Sequence, residues 1–402
     1  MADARELGFD PTRLARLDKQ LARHVDEGRL AGWQLAVTRR DQVAHEAVYG
    51  WRDREAGLPV EHDTLWRIAS MTKPIISAAA MSLWEEGAFE LTDPISTWLP
   101  EYEEMRVYIK GVDRTMVTVP ATEPIRVWHL LTHTSGLTAG FMRTSHVDAL
   151  YREAGYEFGA PPQNQTIADC VRDWAALPLT FQPGTAWGYG VSHDVLGRLI
   201  EIWTGQRLDN ALQNRVLDPL GMTDTVWHCD PARRVRLAAL YLPTDDDRAV
   251  RSEFSDLATH PPTILSGGGG LLSTVPDYVR FTRMLANQGS IEGTRLLSRR
   301  TVDLMTTNHL PGDLGQLSAG GFAETTLDGV GFGLGFAVML DPTRAHSVAS
   351  VGEYNWGGIY STCFWVDPVE DLTAVFMTQL MPSSTLPVRA QLRQLIYSSL
   401  AD

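Results

Sequence analysis

Residues 67–76 read Arg-Ile-Ala-Ser-Met-Thr-Lys-Pro-Ile-Ile. Pro74 has no N–H to donate and clashes inside a helix, so a helix through SMTKPIISAAAMSLWEEG must begin within a residue or two of Ser70. Gly87 can cap its far end. Ser70 therefore stands at a helix N-terminus, where unpaired amides and the helix dipole favour negative charge. Lys73 lies three residues on, on the same face, and can reach back to the Ser70 hydroxyl. A serine attacks a carbonyl only when something removes its proton, and a lysine in an apolar or cationic setting can do so as a neutral amine. Arginine cannot. The chain uses arginine almost throughout, with Lys19, Lys73 and Lys110 its only lysines. A lysine at this position is explained if an amine that can lose its proton is required.

Outward from this helix, residues 11–28 have amphipathic helical spacing, and GWQLAVTRRDQVAHEAVYGWRD predicts two strands joined at Arg39-Arg40-Asp41. Near the other end, GFGLGFAVML, GIYSTCFWVDP and LTAVFMTQL predict three more strands, and LPVRAQLRQLIYSSL a closing helix. Between about 96 and 240 the apolar spacing is mostly helical, broken by Pro and Gly. These patterns predict an α/β chain of α+β type. Residues 1–95 and 240–402 would form a domain around one sheet built from both ends of the chain, and 96–239 a mostly helical insert. The cleft between them is the default site. No internal repeat, low-complexity tract or linker interrupts the pattern.

Composition narrows the partner. The 402-residue chain is 44% hydrophobic, with a formal charge of −14 and a pI near 5.2. It has no basic footprint for nucleic acid or an anionic membrane, so a small molecule is expected. The first residues lack an apolar signal core, and no run approaches the roughly 18 apolar residues of a membrane span. A soluble, cytoplasmic protein is expected, of unknown oligomeric state. Cys170, Cys229 and Cys363 are odd in number and far apart, which predicts reduced core residues and no metal site.

With twenty-one serines and three lysines in the chain, S-x-x-K has roughly 0.16 chance matches, so the surrounding segments decide its meaning. LWRIASMTKPI, LTDPISTWLPEY, HLLTHTSGL, PGTAWGYGVSHDVLGRLIE, GGGGLLSTVPDYVRFTRML and YNWGGIYSTCFWVDP follow one another in the order found in serine β-lactamase-like hydrolases. The set is most similar to family VIII carboxylesterases, over about residues 10–400. The resemblance implies a fold like that of class C β-lactamases and penicillin-binding proteins: an α/β domain of α+β type whose antiparallel sheet is flanked by helices, with an inserted helical domain. It also implies a cofactor-free site: Ser70 as nucleophile, Lys73 as its lysine, and Tyr189 sharing the base function and carrying a proton to the leaving group. Trp356-Gly357-Gly358 would fill the third motif, on an edge strand lining the cleft, and the amides of Ser70 and Ile359 would form the oxyanion hole. Two departures matter. Trp356 stands where β-lactamases have the lysine of K-T-G, and Val191 where they commonly have the asparagine of Y-x-N. Both losses favour a neutral, apolar ester over a β-lactam.

Other motifs fail on geometry or context. Adjacent side chains point apart, so Ser192-His193-Asp194 is no triad; Ser192 is expected to N-cap the following helix. No G-x-S-x-G elbow occurs. His129 and His133 have i, i+4 spacing but no acidic base between them, and are read as structural. SGGGGLL lacks the Lys-Ser/Thr of a phosphate loop, GFGLGF is strand-like, and Asp245-Asp246-Asp247 is a solvated loop. The expectation is a serine hydrolase of short- to medium-chain esters, with weak or no β-lactam hydrolysis. An acyltransferase or amidase on the same scaffold is the enzymatic alternative, and a catalytically silent binding protein the non-enzymatic one.

Overall fold

Asp10 opens the first helix, α1 (Pro11–Asp26), by accepting the amide of Thr12 at 2.8 Å, while Pro11 presets the backbone of the first turn. The computed structural model describes residues 3–112, 115–157, 165–318 and 327–401. After α1 come β1 (Gly32–Arg39) and β2 (Gln42–Asp53), joined by Arg40 and Asp41 with φ of 51° and 59°. Both residues of this two-residue turn lie in the left-handed region, which gives it the twist that matches the paired strands of a hairpin. A short β3 (Leu58–Pro59) adds to β2. The remaining sheet strands come from the far end of the chain: β4 (Val330–Phe332), β5 (Ala337–Met339), β6 (Tyr354–Gly357), β7 (Cys363–Asp367) and β8 (Leu372–Thr378). The order β4-β5-β6-β7-β8-β1-β2-β3 is antiparallel throughout, and the pairing Leu35↔Phe376 joins the two ends of the chain.

Two details differ from expectation. The apolar run GFGLGFAVML is two strands, because Gly335 at φ +98° and the bond from Gly333 N–H to the Phe336 carbonyl turn the chain between them. Burial on both sides of that turn hides it from an apolar-pattern reading. The Trp356 strand, β6, is not at the sheet edge but between β5 and β7. Its pairing with β5 stops at Asn355, so it resembles an edge only at Trp356 and Gly357.

Two helical layers sandwich the sheet. On one face α1 and α5 (Val388–Tyr397) pack Leu17, Leu21, Leu392 and Ile396 against Trp33, Leu35, Trp365 and Phe376. On the other, Phe364, Val366, Val375 and Met377 meet Tyr278 and Phe281 of α4 (Val275–Ala286). Alternate residues of β7 and β8 thus enter opposite cores, which is why these strands are buried on both faces and mostly apolar. The second core continues into α2 (Thr72–Glu85), α3 (Ser192–Thr204) and the helices of the intervening region. Every residue of α2 from Thr72 to Leu83 is buried, so the helix that follows Ser70 is held on all sides. No helix among the described residues is long and apolar enough to cross a membrane. All three cysteines are buried, and none of them forms a disulfide.

Candidate active site

The position of Ser70 is set before α2 begins. Trp66–Arg67 forms a two-residue strand with Leu272–Ser273. The buried Arg67 guanidinium ties it down by donating to the carbonyls of Ala238, at 2.6 Å, and Ser255. Ala69 then adopts φ +44°, a left-handed conformation costing a non-glycine residue on the order of 1–3 kcal/mol. The 3₁₀ turn Ala69–Met71 leads straight into the helix. Neighbours hold the strained turn: Ile68 N–H reaches the Leu271 carbonyl at 3.1 Å, and the Tyr278 hydroxyl reaches the Met71 carbonyl at 2.9 Å. Gly87 follows α2 with φ +77°, as a helix-ending glycine should.

Ser70, Lys73 and Tyr189 come together. Lys73 Nζ lies 3.2 Å from Ser70 Oγ and donates to the Gly268 carbonyl at 2.6 Å. The Tyr189 hydroxyl is 2.6 Å from Ser70 Oγ, and Lys73 Nζ stands 4.4 Å from the centre of the phenol ring. His133, Trp187 and Trp356 surround that ring at 4.8, 6.2 and 5.8 Å. The arrangement gives Ser70 Oγ two neighbouring groups able to receive or return a proton.

The end of β6 closes against the Ser70 turn. A Cβ on Gly358 would lie 2.4 Å from the Ile68 carbonyl and 2.5 Å from Thr362 Oγ1, so only glycine permits this approach. Ile359 follows Gly358 directly and so lies next to this close approach to the Ser70 turn. Trp356 is buried against Tyr189 and, edge-on, against Phe332 at 5.2 Å. Gly357 faces away: its missing side chain makes room for Arg389, which donates to the Gly358 and Thr362 carbonyls at 3.0 and 3.1 Å. Val191 is buried at the N-cap of α3, its amide on the Thr138 carbonyl at 3.3 Å.

Residues set aside in the sequence divide between scaffold and site. Ser192 is the first residue of α3 and not its cap, since its hydroxyl is bound to that of Ser135 at 2.9 Å. His129 accepts the Arg126 amide at 3.0 Å and caps its own helix, and burial followed by the Arg126 charge lowers its pKa to about 4. The rings of His133 and His193 lie 4.8 Å apart, tilted by 34°, behind Tyr189, and burial holds both well below the usual imidazole range, as neutral rings. Sequence reasoning missed the Gly268 carbonyl. Its signal was the glycine run 267–270, which allows this loop to press on α3 and on Ala69.

Comparison with known proteins places this geometry in a family. The beta-lactamase family model matches residues 17–398. Protein Rv1367c of Mycobacterium tuberculosis is 36% identical over 91% of this chain and 90% of its own. Esterase EstB of Burkholderia gladioli is 31% identical over 96% of this chain and 95% of its own. The solved structure of EstCE1, described as a hydrolase with promiscuous acyltransferase activity, is 26% identical and superposes with a TM-score of 0.82, covering 96% of this chain and 99% of that one. The antiparallel sheet with its helical layers is the β-lactamase and penicillin-binding-protein fold, close to family VIII esterases. This chain belongs to the beta-lactamase family and is an enzyme of its serine-dependent superfamily.

Proposed function

We propose that the chain is a family VIII-like carboxylesterase that cleaves neutral short- to medium-chain esters through an acyl-enzyme on Ser70. The observation that carries this reading is the convergence of Lys73 Nζ and the Tyr189 hydroxyl on Ser70 Oγ, at 3.2 and 2.6 Å. Ser70 Oγ attacks the ester carbonyl as its proton passes to the Lys73–Tyr189 pair. The oxyanion sits between the amides of Ser70 and Ile359. Collapse breaks the acyl–oxygen bond, and Tyr189 returns the proton to the departing alkoxide. Water then attacks the acyl-enzyme by the same route, releasing the acid and restoring Ser70.

The esterase relative supports hydrolysis. The description of EstCE1 favours a second reading, in which an alcohol replaces water as acyl acceptor. Incubation with p-nitrophenyl butyrate, with and without an added alcohol, tests both. Mass spectrometry should find a butyryl adduct on the Ser70 peptide, and Ser70→Ala should abolish turnover and adduct together. Normal turnover by Ser70→Ala would end the assignment. Ester formation with the alcohol would show that acyl transfer accompanies hydrolysis.

A further inference from the structure

Behind Lys73 lies a carboxylate that the acyl-enzyme chemistry does not use. Asp194, in the first turn of α3, is buried. Its Oδ1 accepts the Ser266 hydroxyl at 2.6 Å and the Gly268 amide at 3.1 Å. The carbonyl of the same Gly268 receives Lys73 Nζ at 2.6 Å. The main chain of one residue therefore joins carboxylate to ammonium. The fit is close: a Cβ on Gly268 would lie 2.5 Å from Asp194 Oδ2, and one on Gly267 would lie 2.3 Å from the His193 carbonyl.

The other groups around this pair do not supply a competing charge. Helix Ile167–Ala175 brings up Cys170, whose thiol burial pushes up to about 11, so it stays protonated. His193, on the same helix as Asp194, and His133 behind it are held neutral by burial. Tyr189 faces Lys73 with its ring. Burial pushes the Asp194 carboxyl up, and the Ser266 hydroxyl, the Lys73 charge and the Gly268 amide oppose that rise. A buried carboxylate needs hydrogen bonds and a counter-charge, and this one has both.

We propose that Asp194 is a positioning residue for Lys73: through Ser266 and Gly268 it fixes the carbonyl that receives Nζ, and its charge balances the lysine cation and sets the pH at which the Lys73–Tyr189 pair takes the serine proton. The kinetic half rests on the acyl-enzyme reading; the charge pairing does not.

Asp194→Asn keeps the shape and removes the charge. Losing a nearby negative charge favours proton loss from the pair, so the acid limb of kcat/KM against pH should move to lower pH by about half a unit or more, with kcat reduced. Asp194→Glu keeps the charge and should lower kcat with the limb in place. A folded Asp194→Asn enzyme whose limb does not move overturns the proposal, as does a Glu variant whose limb moves equally far. A stability cycle tests the pairing without any esterase assay. Lys73→Met strands the carboxylate and should lower Tm, and adding Asp194→Asn to that chain should recover most of the loss. A double variant melting below Lys73→Met alone overturns the pairing. If the native chain cleaves no ester, the functional reading falls while this cycle still judges Asp194.

Discussion

Tyr189 and Ser70 meet hydroxyl to hydroxyl at 2.6 Å, although 119 positions separate them in the chain. The phenol packs against His133 and Trp356, so packing as well as the contact with Ser70 places its oxygen. Tyr189→Phe preserves that packing and removes only the oxygen. Turnover of p-nitrophenyl butyrate should fall by about 10²-fold or more, the scale of a lost general acid–base group. A loss under tenfold would mean that Lys73 manages the proton alone.

Lys73 Nζ lies between the Gly268 carbonyl at 2.6 Å and Ser70 Oγ at 3.2 Å. Lys73→Arg keeps the charge, cannot act as a base, and brings a planar fork into a space where Nζ is already buried. It should be nearly as inactive as Lys73→Ala in a burst and steady-state assay. An arginine enzyme retaining most activity would assign Lys73 to charge stabilisation only.

Much of this architecture could be read from residue spacing. Pro74 located the start of α2, the strand-like stretches near both ends located a shared sheet, and the preference for arginine elsewhere singled out Lys73. Other features depend on tertiary contact and leave little local trace. Asp194 sits in a tripeptide that resembles a misplaced triad, and its role emerges only when the 266–270 loop folds back onto α3. The orientation of Gly357 toward Arg389, away from Ser70, is likewise set by which face of β6 meets α5.

The glycines of β6 differ in what they touch. Gly358→Ala would drive Cβ to 2.4 Å from the Ile68 carbonyl, which is backbone and fixed next to the Ser70 turn. Gly357→Ala would instead meet the Arg389 guanidinium, also at 2.4 Å, at the end of a flexible side chain. Gly358→Ala should lower kcat/KM by roughly tenfold or more by displacing the oxyanion amides. Gly357→Ala should retain most activity. Equal losses in the two variants would remove the case for close approach at Gly358.

Acid should destabilise the fold through its buried imidazoles. His129 has a pKa lowered from 6.5 to about 4 by burial and by Arg126, and its Nδ1 already accepts a backbone proton. As pH falls below about 6.5 the unfolded chain binds a proton there first. Stability is therefore full above 6.5 and declines toward about 4. For this one site the difference amounts to about 3 kcal/mol, and His133 and His193 shift in the same direction. Melting at pH 7 and pH 4.5 should show the native chain losing stability. His129→Gln should start lower, for want of its cap, and fall less steeply. An equal fall in both proteins would place the acid sensitivity elsewhere.

Substrate choice follows from what β6 presents to Ser70. A β-lactamase orients a carboxylate-bearing amide with a cation, and losing such a partner in a cleft costs a few kcal/mol of transition-state binding. Here that position holds Trp356, whose indole is packed on Tyr189 and Phe332. The nearby cation Arg389 lies behind the strand, committed to the Gly358 and Thr362 carbonyls. Val191, in place of the amide that would meet a drug side chain, is buried and aliphatic. The site therefore presents an indole and an aliphatic side chain at these two positions, beside Ser70, Lys73 and Tyr189. p-Nitrophenyl acetate or butyrate should be turned over with kcat/KM at least ~10²-fold above a chromogenic cephalosporin, the ratio that a loss of roughly 3 kcal/mol implies. Weak cephalosporin turnover is compatible with this, because the proposed nucleophile and oxyanion amides would serve either acyl group. The two substrates should be compared on one preparation, with Ser70→Ala as the blank. A cephalosporin processed as fast as the butyrate would make the chain a β-lactamase in activity as well as in family.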